Sequence, residues 1–184
     1  MDTSDLIVIA PGIRPTSKSE AELFGAMVWL WMHSPTHQAC PIRELERLLL
    51  PALKTGQFVL ALQNRELQQP AGLVSWACFS QDVEQSYLQS LDRTLQPEDW
   101  QSGDRPWVLD WVVPFGHVKA MASAVRMIHA HRSFRGLYHR GDQTGLKVLY
   151  FRGRSMSKAQ ETDFWSIRPL PSCMNNQSTG AHSP

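Results

Sequence analysis

Asp110 is the residue whose placement most demands chemistry. It stands in Pro106-Trp107-Val108-Leu109-Asp110-Trp111-Val112-Val113, a run that reads as a central strand of near-continuous apolar character. A carboxylate there is expensive to bury unless it is paired. Either it turns outward by strand alternation or caps a loop, or it orients and charges a histidine, as in triad-type sites. The chain has seven histidines. His33, His129, His131 and His182 fall at helix ends or in the tail, where solvated histidines are common. His117 follows the break at Pro114-Phe115-Gly116, and His139 lies in a basic strand. His37, in Ser34-Pro35-Thr36-His37, sits just beyond a helix end, between two helices of buried type. Histidine as a residue type titrates near neutrality and suits general base work. Ser34 reads equally as a helix-terminal hydrogen bonder. Cys40, three residues past His37, makes a cysteine–histidine pair a competing reading. The sequence has no P-loop, GxGxxG, GxSxG or HExxH.

The elements that must position these residues follow from pattern. Residues 1–16 read as an arm or leading strand. Ser17 with Glu20, or Ser19 with Glu22, makes a capping box, and Leu23, Met27, Leu30 and Trp31 follow at helical spacing, so a helix is expected over about 19–32. Ser34-Pro35 ends it. A second helix is expected from Pro41, with Ile42, Leu45, Leu48, Leu49 and Ala52 as its stripe. Gln57 to Leu62 and Ala71 to Phe79 read as strands joined by a polar hairpin, and Gln81 to Leu95 as a polar stretch with a short helix. Val118 to Ala130 reads as a helix. Phe134 to Tyr138 and Leu146 to Phe151 read as strands around Gly141-Asp142-Gln143-Thr144-Gly145. Past Lys158 the pattern fades. Helices followed by a mostly antiparallel sheet interrupted by a helix indicate a single α+β domain over 17–168, with a disordered tail over 169–184.

Composition excludes other classes. The 184 residues fit one domain, and net charge +1 argues against a generic nucleic-acid binder. Cys40, Cys78 and Cys173 contain no CxxC and signal neither a disulfide scaffold nor a metal site. The longest uncharged run lies between Glu22 and Arg43, and its apolar part ends at Met32, short of the roughly 20 residues a membrane span needs. The acidic N-terminus lacks the features of a secretory signal, so a cytoplasmic protein is expected. Charge is nonetheless divided. Residues 1–116 hold eight basic and fourteen acidic side chains, and residues 117–184 hold ten basic and three acidic ones. The basic half suggests an acidic partner or a merely solvated face.

The motifs carry a resemblance. Trp29-Leu30-Trp31-Met32-His33-Ser34-Pro35-Thr36-His37 resembles the W-L-W-x-x-S-P-x-H signature of the RTX toxin-activating lysine acyltransferases, which activate haemolysin and adenylate-cyclase toxins. Pro41-Ile42, Leu50-Pro51-Ala52 and Gly56 to Leu60 resemble the family's second helix and first strand, and Val74-Ser75-Trp76-Ala77 resembles its C-S-W-A strand. Glu98 to Gly116 resembles its D-W-x-S-G-D-R-x-W-x-x-D-W-x-x-P-F-G block. The match covers roughly Phe24 to Gly153.

The resemblance implies a GNAT-like acyltransferase domain, a homodimer, and acyl carrier protein rather than coenzyme A as the acyl donor. The chain then carries no bound cofactor and no metal, and its acceptors are internal lysines of an RTX protoxin. The family's histidine falls on His37, its aspartate on Asp110 and its serine on Ser34. On this reading His37 is the base and Asp110 holds its tautomer, while Ser34 or backbone N–H groups steady the oxyanion. An acyl-enzyme on His37 or Ser34 is the alternative. Trp31, Trp76 and Trp111, with Trp29 and Trp107, are candidate walls of an acyl slot, and Arg132, Arg135, Arg140 and Arg152 are candidate docking residues for the acidic carrier. The chain departs from the family at Gln38, where a basic residue is usual, and at Leu73, where a tyrosine stands. A catalytically weakened member that binds carrier or toxin is the second reading. A generic GNAT-like N-acyltransferase using coenzyme A is the third, disfavoured because no [Q/R]-x-x-G-x-[G/A] loop is evident.

Overall fold

A computed structural model describes residues 5–90, 94–140 and 143–171. Gly141 and Asp142, where a hairpin is expected, and the segment from Ser172 on, including Cys173 and His182, lie outside the described residues.

The chain opens with a short strand, β1 (Leu6–Ile9), so part of the expected arm is an edge of the sheet. Helix α1 (Glu20–Met32) starts at Ser19, whose side chain accepts from the Glu22 amide while the Glu22 carboxylate accepts from the Ser19 amide. Reciprocal capping satisfies donors that a helix start otherwise leaves open. Leu23, Met27, Leu30 and Trp31 form the buried stripe of α1.

The expected second helix is divided. After a 3-10 turn at Ile42–Glu44, α2 (Leu45–Leu48) and α3 (Leu50–Thr55) are separate. Pro51 is the reason: it has no N–H to donate backward and its ring displaces the preceding turn, so it is tolerated only where a new helix begins. Gly56, at φ 68, closes α3 in the left-handed region.

Strands β2 (Phe58–Gln63) and β3 (Pro70–Phe79) form the expected hairpin. Helix α4 (Gln81–Gln89), capped by Ser80, and a 3-10 turn (Pro97–Gln101) precede β4 (Arg105–Val112). Helix α5 (Val118–Ile128) then leads to β5 (Ser133–Arg140) and β6 (Gln143–Arg152). The six strands lie in chain order, every neighbouring pair antiparallel except β4–β5. That pair is parallel because α5 carries the chain back across the sheet. It registers only at Trp107–Arg135 and Val108–Gly136. The architecture is an α+β, GNAT-like sheet with flanking helices.

A last helix, α6 (Lys158–Ser166), lies where the sequence pattern fades. It buries one residue, Trp165, too few for a periodic stripe. Its signal was the Ser157–Gln160 capping box.

One face of the sheet carries α1 and α3 on a core of Met27, Leu30, Leu49, Phe58, Leu60 and Leu73. The other carries α5 over Val74, Trp76, Met121 and Phe134. On the first face Glu84 of α4, fully buried, gathers three donors: Trp107 Nε1 and Arg135 Nη1, each at 2.7 Å, and Arg105 Nε at 3.1 Å. Removing one partner leaves buried charge uncompensated, so Glu84→Ala is expected to cost about 3–5 kcal/mol. Urea unfolding of the variant checks this.

On the opposite face His129 is 4% exposed, its ring against Trp76 at 4.5 Å and Phe134 at 4.9 Å. It is therefore not the solvated helix-end histidine expected. Burial, with Arg132 nearby, pushes its pKa down to about 4. Between an ordinary histidine value of about 6.5 and that value, the unfolded chain binds a proton that the folded chain refuses. Stability therefore falls as pH drops through this window, by about 1.4 kcal/mol per unit from this group. Urea midpoints at pH 7 and pH 5 are expected to show the loss, and His129→Phe to reduce it.

Candidate active site

The end of α1 builds the first half of the site. Past the cap at His33 the chain turns sharply, and the amides of His37 and Gln38 both donate to the Ser34 carbonyl at 2.9 Å. Pro35 pre-sets the backbone for such a turn. The turn brings residue 34 beside residue 37: Ser34 Oγ lies 2.8 Å and Thr36 Oγ1 2.9 Å from His37 Nδ1. The Trp31 ring lies 4.5 Å from the imidazole.

Strand β4 supplies the second half. Ser75 of β3 faces Asp110, but the next pair is Trp76–Val108, so Leu109 is an extra residue on β4. Such a bulge re-aims side chains. Here Trp107 and Leu109 join the Phe79–Tyr87–Trp100 core while Asp110 points to His37 on the α1 side. Asp110 does not turn outward.

His37 Nε2 donates to Asp110 Oδ1 at 3.3 Å, and the Ser75 hydroxyl donates to Asp110 Oδ2 at 3.1 Å. The His37 and Asp110 side chains are 22% and 14% exposed, whereas Ser75 is wholly buried. The carboxylate only accepts, which sets the proton of neutral His37 on Nε2 and leaves Nδ1 as the lone-pair nitrogen facing Ser34 and Thr36. The arrangement can draw a proton toward Nδ1 and stabilise the resulting imidazolium.

Ser75 and Thr36 were not singled out as functional residues from sequence. Each stands inside a quoted block, but only the fold brings Ser75 to the carboxylate. Losing one hydrogen bond to a charged group costs about 1.5–3 kcal/mol. Ser75→Ala is thus expected to lower kcat on the order of tenfold or more, with KM little changed. Steady-state kinetics of the variant checks it.

Beside Asp110 lies a pocket of about 140 Å³ lined by Trp31, Arg47, Leu48, Tyr87, Leu95, Trp100 and Leu109. The indole N–H groups of Trp31 and Trp100 are buried with no acceptor among the described residues. Other candidates fall elsewhere. Trp76 and Trp111 lie on the α5 side of the sheet, Trp111 stacked on Phe151 at 6.0 Å. Trp29 is 45% exposed on α1, and Trp107 donates to Glu84. The tryptophans therefore do not wall one slot: Trp31 comes from α1, and the bulge at Leu109 leaves Trp107 and Trp111 of one strand on different sides of the sheet.

Arg135 is not a docking residue. It is 1% exposed and held by Glu84, with its other arm donating to the Arg168 carbonyl at 2.6 Å. Arg132 is exposed, Arg152 is half-buried, and the Arg140 side chain lies outside the described residues. Cys40 does not pair with His37: its thiol donates to the Pro41 carbonyl, and burial, with Glu44 close by, raises its pKa. Among the described residues no group of three His, Cys, Asp or Glu could hold a metal ion, and no helix is long and apolar enough to cross a membrane.

A family model for RTX toxin acyltransferases matches residues 16–152, which include every residue of this hydrogen-bonded line. The chain belongs to the RTX toxin acyltransferase family. Among known members, a leukotoxin-activating lysine-acyltransferase (LktC) of Pasteurella haemolytica-like sp. (strain 5943B) is 37% identical over 137 residues, 74% of this chain and 80% of that one. The protein-lysine myristoyltransferase HlyC of Escherichia coli is 34% identical over 74% of this chain and 78% of its own. The corresponding figures for the protein-lysine myristoyltransferase RtxC of Kingella kingae are 32%, 72% and 77%. As a member of the RTX toxin acyltransferase family, the chain is an acyltransferase.

Proposed function

We propose that this acyltransferase moves a fatty acyl chain from the thioester of acyl carrier protein to the ε-amino group of internal lysines in an RTX protoxin, activating it. Cytoplasmic residence and a homodimer belong to the same reading. Family membership and the relatives' names support the reaction class. The observation that carries the mechanism is the line Ser34 Oγ–His37 Nδ1, His37 Nε2–Asp110 Oδ1, with Ser75 behind it.

A lysine ammonium has no lone pair and cannot attack until it has lost one proton to solvent; a second proton leaves the nitrogen as it attacks. The amine nitrogen bonds to the thioester carbonyl carbon, and His37 takes the amine proton at Nδ1, directly or through the Ser34 hydroxyl. Asp110 holds the imidazolium. The tetrahedral intermediate expels the carrier thiolate as the C–S bond breaks, and His37 returns the proton to sulfur. Ser34 or backbone N–H groups steady the oxyanion. The pocket beside Asp110, walled by Trp31, Leu48 and Trp100, takes the part of the acyl chain nearest the thioester.

The 2.8 Å Ser34–His37 contact also suits a nucleophile and its base, which keeps an acyl-enzyme on Ser34 as the second reading. Incubation with acyl carrier thioester and no toxin, followed by intact-mass spectrometry, separates them. Direct transfer predicts no acylated enzyme and a loss on the order of tenfold in Ser34→Ala. An acyl-enzyme predicts a mass gain of one acyl group that Ser34→Ala abolishes, and that gain would retire the direct scheme.

A further inference from the structure

The basic half of the chain is not evenly committed. Arg135 is consumed by buried Glu84, and Arg168 by Asp104 at 2.6 Å. Three other cations share one surface groove of about 350 Å³: Lys119, Arg126 and Arg154, with Ser123 and Ala122 between them. All three are exposed, no acidic side chain lines the groove, and none of the three is in an ion pair among the described residues.

The fold builds this cluster. Lys119, Ser123 and Arg126 recur at helical spacing along one side of α5, opposite the buried Ala120, Met121 and Ala124. Arg154 comes from the turn after β6, and its amide donates to the Arg126 carbonyl at 2.9 Å. The adjacent Ser155 amide donates to Ala130 at 2.9 Å. The backbones of the two arginines are thereby joined, and both residues line the one groove. Like charges so placed destabilise the free protein unless an anionic partner answers them.

We propose that the Lys119–Arg126–Arg154 groove docks an acidic face of the acyl carrier protein. This rests on that protein being the donor, as proposed above, and adds α5 and the turn after β6 to the candidates Arg132 and Arg152, with Arg135 withdrawn because it is buried on Glu84. Charge complementarity selects this occupant: the groove offers three cations and a hydroxyl with no acidic side chain among its lining, which fits carboxylates on an acidic partner.

The test compares the full-length wild type with the triple variant Lys119→Glu, Arg126→Glu, Arg154→Glu, with Arg65→Glu on the exposed β2–β3 hairpin as the control for altered net charge. Calorimetric Kd for the acylated carrier and KM for it in toxin acylation are measured at low and at physiological salt. The expected result is a rise of at least tenfold in both constants for the triple variant, much less for Arg65→Glu, and a weaker salt dependence of binding. Thermal midpoints show whether the variants remain folded, and a triple variant that fails to fold is replaced by the three single reversals, each expected to raise KM severalfold. Unchanged Kd and KM in a folded triple variant that still acylates from the carrier would overturn the groove while leaving the donor reading intact. A wild type that neither binds the carrier nor uses it would overturn both.

Discussion

Replacing His37 by alanine is expected to reduce acylation by two to four orders of magnitude, the range a positioned general base supplies. Among the described residues, neither Cys40 nor Ser34 is placed to assume the role. Cys40, the nearest thiol in sequence, faces the Pro41 carbonyl with a raised pKa, and Ser34 loses the nitrogen that its hydroxyl bonds. The fold should survive, because the His37 side chain is 22% exposed and stands in a surface turn whose backbone hydrogen bonds run through Ser34. Initial rates with purified carrier thioester and protoxin, beside an unaltered thermal midpoint, check both halves of the expectation.

Asp110→Asn is expected to approach the same loss while keeping the packing. An amide in place of the carboxylate brings an N–H donor toward His37 or Ser75 and removes the charge that stabilises the imidazolium. It permits the tautomer with the proton on Nδ1, which has no lone pair for the amine proton, and costs on the order of 10²–10⁴ in kcat. Asp110→Glu keeps the charge but lengthens the arm inside a site fixed by Ser75 at 3.1 Å. It is expected to recover only part of the rate. A kcat deficit with KM preserved in Asp110→Asn marks the aspartate as acting on the histidine rather than on substrate binding.

The legibility of this molecule in its sequence was uneven for physical reasons. Helix α1 was readable because a capping box and a buried stripe at 23, 27, 30 and 31 agree. Asp110 was readable as an anomaly, since an acid in an apolar strand needs a partner. Its direction was not, because a bulge of one residue at Leu109 breaks the alternation on which any such inference rests. The same bulge sends Trp107 and Trp111, four residues apart on one strand, to different sides of the sheet, which composition cannot show. Whether an arginine meets solvent, as Arg132 does, or a buried Glu84, as Arg135 does, depends on contacts as far as 51 residues apart in the chain. Helix α6 escaped because one buried tryptophan makes no period.

The most direct measurement of the central claim is peptide mass spectrometry of a protoxin co-expressed with this chain, wild type against His37→Ala. Lysine residues carrying an amide-linked fatty acyl chain are expected with the wild type, and unmodified lysines at the same positions with the variant. Acylation of those lysines persisting at wild-type extent with His37→Ala would contradict the claim.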